Sequence, residues 1–342
     1  MKSINKQKLA DVLTQWSKGY AVMAPVDEGS AASFKKWEEG KEVQLDKNST
    51  IPAKNIFFPQ TEELYDYKAG KDSLELAEAI PIKDEMIVFG IRPCDLMSLE
   101  ILDDLFLTRG YIDTYYKAKR DNAVIVSYLC GEPCRTCFCE SMGIDYQKAE
   151  GADITMCFDG ENFGFIAQTE KGENLLKEID LLTEERDVKL SEKQELKLKA
   201  DTEGLAEKLA LMFEHPYWDS AYEKCIGCGA CTYLCPTCHC FDINSHNRAC
   251  GTGFKTRCWD SCMFPDYTLM AGGHNPRPTR KERFRNRFLH KLQQFPERYG
   301  KTACVGCGRC ISKCPVNVDI VAIISQLKEV DINDQQGMDR VG

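Results

Sequence analysis

The chain has 342 residues, 43% of them hydrophobic and 28% charged, which is enough for two soluble domains with cores of their own. Its net charge of −9 counts against nucleic acid as the main partner. No run of about 18 apolar residues predicts a membrane span. The outlying number is 19 cysteines, most of them in tight groups. The first twenty residues lack an export-type apolar region. A cytoplasmic location is therefore expected, where thiols stay reduced and clustered cysteines point to metal rather than disulfides.

In chain order, residues 4–16 have helical periodicity, "YAVMAPV" reads as a short strand and "FFPQTEELYDYKAG" as extended. "EMIVFGIRPCDL" is a buried-strand run ending at Cys94, and "LMSLEILDDLFL" behind it has helical spacing. "NAVIVSYLC" is a second β-branched run that delivers Cys130. Strand, helix and strand predict a βαβ unit with neighbouring parallel strands. Both cysteines then lie at carboxyl strand ends, where open α/β sheets place ligands. The stretch "CGEPCRTCFC" adds Cys134, Cys137 and Cys139 to the same rim. A third iron–sulfur cluster, a zinc ion, a redox-active or structural thiol pair, or no ligand at all are the alternatives there. Cys157, in the predicted strand "ITMCF", is expected to be structural.

Two motifs follow. "CIGCGACTYLCP" holds Cys225, Cys228, Cys231 and Cys235, and "CVGCGRCISKCP" holds Cys304, Cys307, Cys310 and Cys314. Both match C-x2-C-x2-C-x3-C-P, the run that ligates [4Fe–4S] clusters in two-cluster ferredoxins. Two-residue gaps wrap a tight turn around one cubane, and the intervening glycines let backbone N–H groups approach its sulfides. The two-cluster rule predicts one set of Cys225, Cys228, Cys231 and Cys314 and another of Cys304, Cys307, Cys310 and Cys235. Zinc sites usually show paired C-x2-C knuckles and not this quadruple run.

The spacer between the motifs has helix-like segments, so an α-helical type of ferredoxin is expected. Its stretch Arg277 to Lys301 carries nine basic and two acidic residues. A docking face, a field that raises cluster potentials, or a solvated helix paired with this chain's own carboxylates are the readings. Cys238, Cys240, Cys250, Cys258 and Cys262 also lie there, and packing is favoured over ligation for them. His215 and His274 are expected to be satisfied polar groups rather than supports of the metal sites.

From about residue 86 to 325 the chain resembles a known family. "GIRPCDL", "CRTCFCESMG", "HPYWD…CIGCGACTYLCPTCHCFD", "WDSCMF…AGGHNPR" and "CVGCGRCISKCP" carry the likeness. The family is that of the iron–sulfur electron-transfer subunits found in cytoplasmic NiFe (sulf)hydrogenases, where they are the beta subunit, and in anaerobic sulfite reductase. The resemblance does not choose between these branches, although "CFCESMG" and "HPYWD" lean to the sulfite reductase one. It implies a cytoplasmic complex with a flavin/NAD(P)H-binding subunit on one side. On the other side stands a catalytic subunit (siroheme or NiFe) or ferredoxin. It also implies Cys94, Cys130, Cys137 and Cys139 as ligands of a third [4Fe–4S] cluster, with Cys134 spare.

The fold expected is mixed α+β. An N-terminal α/β domain covers residues 1–205, an α-helical two-[4Fe–4S] ferredoxin domain 206–328, and a flexible tail 329–342. A non-catalytic electron-transfer subunit is the leading function. No G-x-G-x-x-G follows a strand, and no triad or carboxylate pair stands out. The alternatives are a flavin-containing oxidoreductase acting by itself at the Cys94/Cys130 rim and a regulatory protein with a labile cluster.

Overall fold

The computed structural model describes residues 1–27, 29, 31–79 and 85–333, so most of the tail expected over 329–342 lies outside the described residues. The larger of its two sheets has eight strands. In chain order these are β1 (Lys2–Asn5), β2 (Ala21–Asp27), β3 (Ala32–Lys36), β6 (Met86–Ile91), β7 (Ala123–Tyr128), β8 (Ile154–Phe158), β9 (Asn162–Ala167) and β10 (Glu184–Glu185). They lie in the order β10-β1-β9-β8-β7-β6-β2-β3, with β2, β6, β7 and β8 mutually parallel and the outer pairings antiparallel.

All six residues of β6 and of β7 are buried. That is what a parallel strand covered on both faces requires, and why these runs read as continuous apolar stretches. Alternation divides them between two cores. Ile87, Phe89, Val124 and Val126 face one, and Met86, Val88, Ile91, Ala123 and Ile125 face the other with the helix Pro93–Leu107. The βαβ unit stands as expected, with Ala123 to Val126 paired in parallel to Met86 to Phe89. Cys94 is the second residue of the helix that leaves β6, and Cys130 follows β7 by two residues.

The second sheet has four antiparallel strands in the order β11-β12-β4-β5. Here β4 (Thr61–Ala69) and β5 (Leu74–Glu78) come from the N-terminal part, whereas β11 (Phe241–Asn247) and β12 (Thr252–Trp259) form a hairpin between the two cysteine motifs. The spacer is thus not helical throughout: its first third is this hairpin, followed by the helix Arg280–Leu289. A buried ionic network seats the hairpin. Arg257 on β12 bonds Glu62 on β4 and Asp113, and Lys119 shares Glu62. The Trp259 indole N–H donates to the Phe58 carbonyl at 2.9 Å.

Around the motifs, short helices pack on a third core containing Trp218, Phe284, Phe288, Leu292, Ile324 and Leu327. Among the described residues no helix is long and apolar enough to cross a membrane.

Candidate iron–sulfur centres

The second motif's first three thiols, Cys304, Cys307 and Cys310, line one cavity together with Cys235, the last cysteine of the first motif. Cys225, Cys228, Cys231 and Cys314 line another, together with Cys310. Cys235 thus lines a cavity with the second motif's thiols, and Cys314 lines one with the first motif's. Arg287 and Ile320 line both cavities, so the two share a wall. Ile226 and Cys228 are exposed, which puts the first motif's cavity at the surface.

Local geometry supplies donors to the sulfurs. The Gly227 N–H lies 3.4 Å from the Cys225 sulfur, and the Val318 N–H lies 3.2 Å from that of Cys314. Buried cations converge on Cys235. Lys291 Nζ donates to its Sγ at 3.1 Å, to Thr237 Oγ1 at 2.9 Å and to the Ala303 carbonyl at 2.6 Å. Burial alone would raise the Cys235 thiol, but Lys291 and Arg287, with a hydrogen bond from Thr237, draw it down to about 6. Of the basic stretch 277–301, Arg283, Arg285, Arg287 and Lys291 are buried. At its edge, Lys281 pairs with Asp219, as the solvated-helix reading expects.

The N-terminal thiols gather as well. Cys94, Cys130, Cys134, Cys137 and Cys139 line a single cavity, with Asn48, Arg92 and Tyr146. An Arg92 N–H lies 3.4 Å from the Cys130 sulfur. Burial pushes the Cys139 thiol up to about 12.

This cavity abuts the second motif. Phe138 N–H donates to the Gly306 carbonyl at 2.8 Å, and the Cys137 thiol lies 3.8 Å from the Cys307 carbonyl. Gly306 and Gly308 have φ of +60° and +71°. A Cβ on Gly306 would come within 2.5 Å of Phe138 main-chain atoms, and one on Gly308 within 2.3 Å of the Thr136 carbonyl oxygen. Only glycine satisfies both the left-handed turn and this approach of two backbones.

A buried bridge crosses the same seam. Arg309, between Cys307 and Cys310, holds both Asp95 oxygens at 2.5 and 2.6 Å and also bonds Asn48 and Ser49. Asp95 is next to Cys94, so this pair clamps the β6–helix junction to the second motif. Sequence reasoning missed Arg309, Asp95, Arg92 and Lys291, because nothing in a single sequence marks a charged residue for burial.

Of the remaining cysteines, Cys238, Cys240 and Cys262 contact one another in series, with the Tyr267 hydroxyl against Cys240. Cys258 and the exposed Cys250 stand apart on the hairpin. The Cys157 thiol is buried against the Gly164 and Val188 carbonyls. His215 is satisfied by Tyr217 N–H and the Asp331 carbonyl, and His274 is exposed.

Among the described residues no three His, Cys, Asp or Glu groups close in on one point as a single metal ion requires. The thiols instead line shared cavities, where soft sulfur donors, backbone N–H groups and buried cations suit an anionic iron–sulfide group.

Comparison with known proteins agrees with this chemistry. Residues 224–318 match the model of the 4Fe-4S dicluster domain. Over 318 residues the chain is 34% identical to sulfhydrogenase 2 subunit beta of Pyrococcus furiosus, covering 90% of this chain and 92% of that one. That relative belongs to the hydrogenase branch and not to the one toward which "CFCESMG" leaned. No solved structure matches the chain.

Proposed function

Because the chain belongs to the family of iron–sulfur beta subunits, we propose that it relays electrons through three [4Fe–4S] sites inside a multisubunit oxidoreductase. Cys94, Cys130, Cys137 and Cys139 would hold the first, with Cys134 spare. Cys304, Cys307, Cys310 and Cys235 would hold the second, and Cys225, Cys228, Cys231 and Cys314 the third. Bound there, such clusters supply one-electron redox chemistry.

The observation that carries this reading is the unbroken succession of thiol-lined cavities. The N-terminal one is fused to the next through Phe138 and Gly306, and that one shares Arg287 with the third. The chain's own residues fix the thiolates and place cations beside them. Lys291, Arg287 and Arg309 oppose accumulating negative charge, which makes acceptance of an electron easier. The last cavity opens at Ile226 and Cys228, a surface where a partner can approach.

The partners we infer are a flavin/NAD(P)H-binding subunit together with a catalytic subunit, NiFe or siroheme, or ferredoxin, in the cytoplasm. An anaerobic iron and acid-labile sulfide count on the full chain tests the reading, since three cubanes give about twelve irons and two give about eight.

A second reading, a flavin oxidoreductase acting by itself at the Cys94/Cys130 rim, has one observation in its favour. A cavity bordered by Trp37, Tyr128, Phe158 and Phe163 opens beside that rim, and Arg92 lies 4.7 Å over the Tyr128 ring. Flavin absorbance released on mild denaturation of the isolated chain would favour it.

A further inference from the structure

Nine cations punctuate the stretch Arg277 to Lys301, and the fold occupies seven of them. Arg280 bonds the Cys225 carbonyl, Arg283 the Met263 carbonyl and Lys291 the Cys235 sulfur. Lys281, Arg285 and Lys301 pair with Asp219, Glu214 and Asp104, and Arg287 lines both ferredoxin-type cavities. Arg277 and Arg298 are left over. Among the described residues neither guanidinium has an ion-pair or hydrogen-bond partner, and both line one cleft.

That cleft opens where Leu105, on the helix Pro93–Leu107, meets the spacer, and seams between domains are common places for small ligands. One wall is the π-helical turn His290–Gln294, a rare geometry that recurs at functional sites. The turn sends Lys291 to Cys235, while His290 and Gln294 line the cleft. Arg277 and Arg298 both bear on the His290 ring, so their charges converge. The His239 ring lies edge-on to His290 at 5.2 Å, with its Nδ1 against the Thr237 carbonyl at 3.1 Å. A carbonyl only accepts, so Nδ1 carries the proton and Nε2 is left as an acceptor. The Tyr299 hydroxyl is buried without a hydrogen-bond partner, which folded proteins seldom leave so. The one carboxylate in the lining, Glu297, accepts from Gln293 at 2.6 Å.

We propose that this cleft binds a small organic phosphate carrying hydroxyl groups. Arg277 and Arg298 supply forked donors that match a phosphate dianion. The ligand's hydroxyls meet the His239 acceptor, the Asn286 and Gln294 amides and the Tyr299 hydroxyl, which together offer donors and acceptors. A bare inorganic anion engages the arginines alone. None of the proposed cluster ligands lines the cleft, so the inference stands whether the thiol-lined cavities hold two clusters or three.

The test titrates the full chain, purified without oxygen, with inorganic phosphate, ribose 5-phosphate and AMP by isothermal calorimetry. At least one of the two organic phosphates is expected to saturate a single site, about tenfold or more tighter than inorganic phosphate. A tighter AMP names a nucleotide, and a tighter ribose 5-phosphate names a sugar phosphate. Arg277→Gln and Arg298→Gln should each weaken the tighter ligand by about tenfold or more, as loss of a charge-assisted contact does. Arg277 is half-buried and Arg298 exposed, so circular dichroism and iron content of both variants should match the parent. Lys8→Gln removes the same charge from another exposed position and should leave binding unchanged. The inference is overturned if neither organic phosphate saturates, or if inorganic phosphate binds as tightly as both. It is equally overturned if either arginine variant binds like the parent, or if Lys8→Gln weakens binding as much as they do.

Discussion

Replacing Arg309 by Met keeps its bulk, removes its charge and strands a carboxylate. Arg309 makes five hydrogen bonds, two to Asp95 and three to Asn48 and Ser49. Its side chain and that of Asp95 are 5% and 1% exposed. Bonds to a charged group contribute about 1.5–3 kcal/mol each, but summing five would overstate the loss because water and neighbours relax. The better guide is an ion left uncompensated in the interior, which costs about 3–5 kcal/mol. Anaerobic urea unfolding of Arg309→Met, followed by far-UV circular dichroism, is expected to show a loss of that size. Adding Asp95→Asn should recover part of it, since the orphaned charge is then gone. A loss under about 1 kcal/mol, the scale of an exposed pair, would refute the reasoning. So would a double variant no more stable than Arg309→Met alone.

Lys291→Met withdraws the cation from the Cys235 sulfur, so the site that includes Cys235 should become harder to reduce. A redox titration followed by electron paramagnetic resonance should place its midpoint below the parent's, and an unchanged midpoint would sink the assignment. Gly306→Ala drives a methyl into the Phe138 main chain at a φ of +60°, so it should cost more than about 1 kcal/mol. It should also deplete iron from the N-terminal site, which the iron count would show. Burial lowers His239 to about 4 and His290 to about 3, with Lys291, Lys54, Arg298 and Arg277 adding repulsion. Both stay neutral in the fold, whereas the unfolded chain takes up protons near the ordinary value of 6.5. Stability should therefore fall as pH drops from 6.5 toward 4, and His239→Gln/His290→Gln should flatten that slope in pH-dependent unfolding. An unaltered slope would remove the two histidines from the account.

The legible parts of the sequence were those in which one physical demand governed every residue. β6 and β7 are buried on both faces, so their apolar runs announced parallel strands and placed Cys94 and Cys130 on one rim. The tight spacing of the two motifs is a local constraint, and it foretold that Cys235 stands with Cys304, Cys307 and Cys310. The hairpin β11–β12 escaped because β11 is exposed along nearly its whole length, and in "FDINSHN" the alternation of apolar and polar residues stops after Asn244. Its partner strands lie far back in the chain, which no local pattern can report. The basic stretch after it hid a division: Lys281 reaches an exposed carboxylate, while Arg287 and Lys291 turn inward to the sulfurs. Only three-dimensional proximity distinguishes those fates.

The four-stranded sheet has a consequence for how the protein is made. Arg257 meets Glu62 across 195 positions of chain, so β4 leaves the ribosome long before the strand that covers its edge. At typical elongation rates that interval is about 10–40 s. Throughout it the nascent chain presents unpaired N–H and C=O groups to anything nearby. A gene cut anywhere within that interval would yield a fragment with a sticky border, and co-expressing the two pieces would be the remedy.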